Sequence, residues 1–143
     1  MAEYDVNADA QRVIVVDNTG VNVPAVASAR VGRAYSGTAG GGINANVTPP
    51  AGQYVYILSV QVLAYTTAAR TGAATPIAFT SSGLSVDLQF LFATAAAIGT
   101  VEEHKFESAL PLKSAAAGAA VSFLVPATTS VIWAVNFSYY FGS

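Results

Sequence analysis

Apolar and polar residues alternate along the two most regular segments of the chain, residues 84–92 and 130–141. Successive side chains of a β-strand point to opposite faces of its sheet, so this alternation predicts a strand with one buried face. Both segments are also rich in the β-branched and aromatic residues that strands favour. The apolar positions are Leu84, Val86, Leu88, Phe90 and Phe92 in the first segment, and Val131, Trp133, Val135, Phe137, Tyr139 and Phe141 in the second.

A third strand is predicted over Gln53–Thr67, where the alternation runs for longer than most strands. Such a length indicates a bend or a β-bulge. Shorter strands are predicted at Arg12–Val16, Val21–Val31, Ile77–Thr80 and Ala120–Val125, and Pro24 confines the second of these to a sheet edge or an extended arm. About eight strands joined by Gly, Pro, Ser and Thr turns predict an all-β fold, a single β-sandwich of the jelly-roll type.

The first part of the chain has a different composition from the rest. The stretch "VGRAYSGTAGGGINANVTPP", residues 31–50, is rich in glycine and poor in large apolar residues. Such a segment buries little surface and has a high cost of ordering. We therefore expect an extended N-terminal arm, or wrapping segment, over residues 1–50 and a β-sandwich domain over residues 51–143.

Charge is scarce along the chain. Charged residues make up 10% of the sequence, against about a quarter in a typical domain. None occurs from Ala34 to Ala69 or from Ser114 to Ser143. A monomer normally spreads charge over its surface to keep its neighbours apart, so we expect much of this surface to be covered by other subunits. We therefore expect a homo-oligomer, and a trimer in particular, because closed cyclic symmetry buries such a surface without forming fibres. A surface made polar by Ser, Thr, Asn and Gln alone is the alternative.

Several classes of protein are not expected from this sequence. The six Lys and Arg residues are scattered, so no nucleic-acid partner is predicted. The apolar runs at residues 54–65 and 119–135 are too short or too interrupted to predict a membrane span. The acidic, polar start "MAEYDVNADAQR" is unlike a signal peptide, so we expect synthesis in the cytoplasm of the cell that makes the protein.

Charge gathers at one place, "VEEHKFES", residues 101–108, which includes the single histidine, His104. Zinc needs three or four converging ligands, and neighbouring strand residues such as Glu102 and Glu103 point to opposite faces. No Gly-x-Ser-x-Gly motif accompanies the histidine. We therefore expect no catalytic residue, no metal site and no cofactor.

A solvated strand edge is the better interpretation of the charged stretch, because charges at an edge discourage unwanted strand pairing. In this interpretation Phe106 and Leu110 share the buried face, while Lys105 and Glu107 face water. Glu102 and Glu103 are then expected in the turn before the strand.

Two stretches of the chain resemble a known family. They are "VTPPAGQYVYILSVQVLAYTT", residues 47–67, and "LPLKSAAAGAAVSFLVPATTSVIWAVNFSYYF", residues 110–141. In both, a turn or loop of small residues leads into long alternating strands, which resembles the β-sandwich capsid decoration (cement) proteins of tailed bacteriophages. The resemblance implies a homotrimer on the capsid surface of the virion, with the major capsid protein as its partner. It implies no catalytic residue.

We therefore expect a non-enzymatic virion structural protein that binds the outside of a phage capsid and stabilises it by bridging subunits. An extended arm can add a strand to a neighbour's sheet, with alternate side chains filling pockets. The contact residues that this predicts are Val13, Val15, Val21 and Val23.

The alternative function is a receptor- or carbohydrate-binding β-sandwich module of a phage fibre or tail. Aromatic residues are concentrated between Trp133 and Phe141, and exposed rings there could stack on sugars. Their period-two spacing favours core packing instead. Exposure of Trp133 and Tyr140 discriminates between the two interpretations.

Overall fold

The computed structural model describes residues 29–143 as a β-sandwich of two four-stranded antiparallel sheets. The strands are β1 (Arg30–Tyr35), β2 (Ile43–Val47), β3 (Tyr54–Thr66), β4 (Ile77–Ser82), β5 (Gln89–Phe92), β6 (Val101–Lys113), β7 (Val121–Val125) and β8 (Val131–Gly142). The first sheet has the order β1-β8-β3-β6, and the second sheet has the order β2-β7-β4-β5. This interleaved order, with strands from both halves of the chain in each sheet, is that of a jelly roll. Residues 29–143 contain no helix long and apolar enough to cross a membrane.

The centre of the first sheet is the antiparallel pair β3 and β8, which are paired from Tyr54 opposite Gly142 to Thr66 opposite Val131. The alternation predicted for β8 is confirmed, because its odd-numbered residues from Val131 to Phe137 are buried and its even-numbered ones are half-buried. The predicted irregularity of β3 is also confirmed. Its register against both neighbours shifts between Ile57 and Ser59, which is a β-bulge.

The core lies between the two sheets and is made by their inward faces. Trp133 is fully buried, and its ring meets the edge of Phe92 with the ring centroids 5.0 Å apart. Phe123 of the second sheet lies 4.8 Å from Phe137 of the first. The largest fully buried side chains are Trp133, Phe79, Phe92, Phe123, Ile57, Val55, Val60, Val62, Val121, Val125, Val131 and Val135. Each such burial contributes about 1.5–3 kcal/mol.

The strand predicted over residues 84–92 is shorter than expected, since only Gln89–Phe92 forms β5. Val86 is 65% exposed. The Asp87 carboxylate explains the difference, because its Oδ1 accepts hydrogen bonds from the Leu84 amide at 3.1 Å and from the Ser81 hydroxyl at 3.3 Å. These side-chain bonds hold the residues before β5 in a loop and replace the ladder that a longer strand would need.

The sandwich begins earlier than the boundary at residue 51 that the composition suggested. β1 pairs with β8 in the first sheet, and β2 pairs with β7 in the second. The glycine in the middle of β1 has a packing cause, because a side chain at Gly32 would overlap the Phe137 ring. The Phe137 ring of the neighbouring strand therefore fills the space at this point.

The rest of the expected arm, residues 1–28, lies outside the described residues. The predicted strand Arg12–Val16 and most of the predicted strand Val21–Val31 lie there too.

Replacing Gly32 with Ala should lower the free energy of unfolding by about 1–3 kcal/mol, the usual cost of overpacking. Phe137 cannot move aside freely, because it is packed between Phe123 and Tyr139. Chemical denaturation would measure the change. Gly72 is the matched control, because a Cβ there meets nothing closer than 3.7 Å, and its replacement with Ala should change stability by less than about 0.5 kcal/mol. Equal stability of the two variants would contradict the close packing of β1 against the Phe137 ring.

Candidate functional site

The charged stretch at residues 101–108 lies in β6, the edge strand of the first sheet. Glu102 and Glu103 are strand residues paired with Ala64 and Leu63, so the prediction that they occupy a turn is wrong. The prediction that Leu110 lies on the buried face is also wrong, because that side chain is 78% exposed. Both errors arise from the length of β6 and from its irregular register opposite the bulge in β3.

Residues Ser108–Pro111 account for the exposed leucine. Ile57 pairs with Leu112, and Ser59 pairs with Glu107. More residues of β6 than of β3 therefore lie between these two pairs. The extra residues leave the ladder, and the Ser108 hydroxyl accepts a hydrogen bond from the Leu110 amide at 3.1 Å. Leu110 therefore points outward, whereas Phe106 packs against the core as predicted.

His104 faces inward and helps to close the side of the sandwich between β6 and β5. Its ring stacks on Phe90 with the centroids 5.7 Å apart, and it meets Phe92 edge-on at 4.5 Å. Its Nε2 lies 3.3 Å from Oε1 of Glu102. The Glu102 carboxylate in turn accepts a hydrogen bond from the Ala93 amide, just past the end of β5. The histidine and the glutamate thus join the edges of the two sheets.

Within residues 29–143, no three His, Cys, Asp or Glu side chains gather closely enough to hold a metal ion. The partners of His104 are two phenyl rings and one carboxylate, which suit packing and a single charge-assisted hydrogen bond. The arrangement therefore holds the edges of the two sheets together.

The outer face of the first sheet carries two groups of tyrosines separated by polar side chains. At one end, the tyrosine slot is an apolar depression of about 260 Å³ between Tyr35 and Tyr65. Its other outward-facing residues are Leu63, Val101, Ile132 and Ala134. Tyr35 is 67% exposed and Tyr65 is 44% exposed, so both rings are accessible at the rim.

A chain of polar side chains crosses the strands beside the tyrosine slot. The Asn136 amide donates to Oε1 of Gln61 at 3.1 Å, and the Gln61 amide donates to the Glu103 carboxylate. Lys105 Nζ lies 3.5 Å from the other oxygen of Glu103. We call Asn136, Gln61, Glu103 and Lys105 the polar chain. It adjoins a shallow depression of about 230 Å³.

The opposite end of this face carries a tyrosine pair, Tyr56 and Tyr140. Their rings are stacked with centroids 4.8 Å apart and planes within 4°. Lys113 Nζ lies 3.6 Å from the centre of the adjacent Tyr54 ring, a cation–π contact. Partial burial raises the pKa of Tyr140, and the nearby Tyr56 hydroxyl raises it further. Tyr140 is therefore a neutral hydrogen-bonding group at physiological pH.

The outer face of the second sheet has a different chemistry. Its outward-facing residues, as given by burial and register, are Asn44, Asn46, Ala78, Thr80, Ser82, Gln89, Leu91, Ser122 and Leu124. None of these side chains is charged, and we call this surface the neutral face. Leu91 and Leu124 are exposed on it.

A cleft of about 680 Å³ lies between the loops at one end of the sandwich. It is lined by threonines, small apolar residues and Arg70. The guanidinium of Arg70 donates to the carbonyls of Ala93 and Thr94 at 3.2 and 3.1 Å, and to the Thr66 hydroxyl at 3.2 Å. Arg70 thus ties the β3–β4 loop to the β5–β6 loop.

The contact residues predicted from the sequence, Val13, Val15, Val21 and Val23, lie outside the described residues. Trp133 is 0% exposed and belongs to the core. Tyr140 is half-buried on the outer face, where it stacks on Tyr56.

Sequence reasoning did not identify Gln61, Tyr65 or the rest of the tyrosine slot as site residues. The signal that could have found them is the parity of β3 and β8, because the positions between the buried ones must line the outer face.

No protein-family model matches the chain, and none of the curated proteins matches it in sequence.

Replacing His104 with Ala should cost less than about 2 kcal/mol of stability, the lower part of the range for defects in a buried network. The reason is that the ring lies at the sandwich edge with its side chain 36% exposed. Thermal and chemical unfolding would measure the loss, and replacement with Phe, which keeps the ring packing, is the control. A larger loss for Ala that Phe does not restore, or a stoichiometric metal in the wild type, would contradict a packing role.

Proposed function

We propose that this protein is a non-enzymatic structural protein of a phage virion, which binds the outside of the capsid and stabilises it by bridging subunits. The neutral face is the observation that supports the proposal most directly. Jelly rolls serve many functions, so the fold supports the proposal less than this surface does.

The neutral face has the composition of a protein contact. Interface cores are depleted in charged residues relative to the rest of a protein surface. Here a whole sheet face offers amide, hydroxyl and aliphatic groups, with Leu124 and Thr80 at neighbouring positions of its central strands. The described charged residues lie elsewhere, with Arg33, Glu103, Lys105, Glu107 and Lys113 on the outer face of the first sheet. The two faces of the sandwich therefore suit different surroundings.

A protein that binds only the assembled shell stabilises it by mass action, and repeated sites multiply this effect. In this proposal the neutral face meets protein, either the major capsid protein or a second copy of this chain. The opposite face, with its tyrosines and charges, then faces solvent. The segment before Ala29 adds a second contact through Val13, Val15, Val21 and Val23.

The purified protein should be a homotrimer, with a mass three times the 14.6 kDa of one chain. The reason is that the exposed residues of the uncharged segments Ala34–Ala69 and Ser114–Ser143, such as Leu124, would otherwise remain in water. Light scattering on a size-exclusion column measures the mass. A monodisperse monomer at micromolar concentration would contradict this prediction.

Replacing Leu124 with Lys should weaken binding to capsids by about tenfold or more, because it would bury an unpaired ammonium group in the contact. The assay is co-sedimentation with capsids of the encoding phage prepared without this protein. Ile98→Lys is the matched control, since it also places Lys at an exposed apolar position but lies in the β5–β6 loop. Equal binding of the two variants would remove the neutral face from the proposal.

Deleting residues 2–16 should leave the sandwich folded, because its strands begin at Arg30, but should weaken binding to the same capsids. Full-length protein should raise the temperature at which the shells break, and the truncated protein should raise it much less. Val13→Ser combined with Val15→Ser should reproduce the loss, whereas Gln11→Ser should not. Failure of the full-length protein to bind any such capsid would overturn the proposed function.

A further inference from the structure

We propose that the outer face of the first sheet is a binding site for a neutral oligosaccharide. One sugar ring would occupy the tyrosine slot, and the hydroxyl groups of the ligand would bond to the polar chain. This proposal goes beyond the capsid role and does not depend on it, because the site and the neutral face lie on opposite sides of the sandwich.

The tyrosine slot has the form that the apolar face of a sugar ring requires. Ile132 and Ala134 of β8 form its floor, and Tyr35 of β1 and Tyr65 of β3 stand on either side. A volume of about 260 Å³ accommodates a single ring. The exposed tyrosines combine an apolar ring with a hydroxyl that can bond to the ligand.

The polar chain supplies hydrogen-bonding groups in fixed positions. Each member is oriented by its neighbour, from Asn136 through Gln61 to Glu103 and Lys105. These bonds leave unused capacity, because an amide has two N–H groups and a carbonyl oxygen, and a lysine has three donors. Donors and acceptors held side by side suit the adjacent hydroxyl groups of a sugar.

The charge of this face indicates an uncharged ligand. Arg33, Lys105 and Lys113 are opposed by Glu103 and Glu107, so the charges nearly cancel. Glu103 and Lys105 also lie within 3.5 Å of each other, which satisfies part of each charge locally. A sulfated or phosphorylated ligand would gain little here, since anion binding needs a surplus of basic groups.

The spacing along the strands matches a ligand with several units. Leu63 and Ala134 of the slot lie two residues from Gln61 and Asn136 of the polar chain, which is roughly 7 Å on a strand. The tyrosine pair lies six residues beyond Ala134 on β8, roughly 20 Å from the slot. A chain of a few sugars running parallel to β8 would therefore extend from the slot towards Tyr56 and Tyr140.

Affinity electrophoresis of the full chain would test this proposal, in native gels that contain dextran, mannan, xylan or galactan in turn. At least one neutral polysaccharide should retard the wild type. Tyr35→Ala and Gln61→Leu should each weaken this retention by about tenfold or more, the factor expected for one lost stacking or hydrogen-bonding contact. Both sites lie on the outer face, so circular dichroism and thermal unfolding should stay close to those of the wild type.

Leu91→Ala is the matched control, because it removes an exposed apolar side chain from the neutral face and should leave retention unchanged. The proposal is overturned if none of the four gels retards the wild type, or if the variants are retarded as strongly as the wild type. Retention only by an anionic polysaccharide such as dextran sulfate, lost in salt, would also overturn it. A change of oligomeric mass in Tyr35→Ala without any polysaccharide binding would instead show that the slot is a contact between copies.

Discussion

The pairing of β3 with β8 is the constraint on which the rest of this structure depends. Both strands are long, and they lie side by side at the centre of the first sheet. Val62 and Val135 face each other across this pair, and both are fully buried against the second sheet. Because strand side chains alternate, burying one side of the pair commits the other side to the outer face. The core and the candidate binding face are therefore set by the same register.

Much of the fold could be predicted from the sequence wherever the alternation was long. The apolar series from Val131 to Phe141 spans a whole strand, and β8 follows it. The prediction was less accurate where one side chain outweighs the pattern. Asp87 accepts a hydrogen bond from the Leu84 amide, and a loop forms where a strand was predicted. Gly32 makes β1 hard to recognise in the sequence, because the Phe137 ring fills the space that a side chain at position 32 would occupy. Both effects depend on contacts that the local pattern does not contain.

The candidate site could be predicted only in part. Alternation already placed Asn136 and Tyr140 opposite the buried residues of β8, and both face outward. The bond between Gln61 and Glu103, however, joins β3 to β6 and requires the register of two distant strands. The tyrosine slot likewise combines residues of four strands, from Tyr35 of β1 to Val101 of β6. Such groupings follow from the topology, which is non-local.

The bulge in β3 explains how one face can carry both the tyrosine pair and the polar chain. Tyr56 lies before the bulge and Gln61 lies after it, an odd number of residues apart, so in a regular strand they would face opposite sides. The extra residue at Leu58 reverses the parity, and Tyr56 pairs with Tyr140 on the same face where Gln61 pairs with Asn136. The same shift keeps Ile57 and Val60 in the core. A regular β3 with this sequence could not bury the apolar residues on both sides of the bulge. Burial of the core therefore also brings the outward-facing groups onto one face.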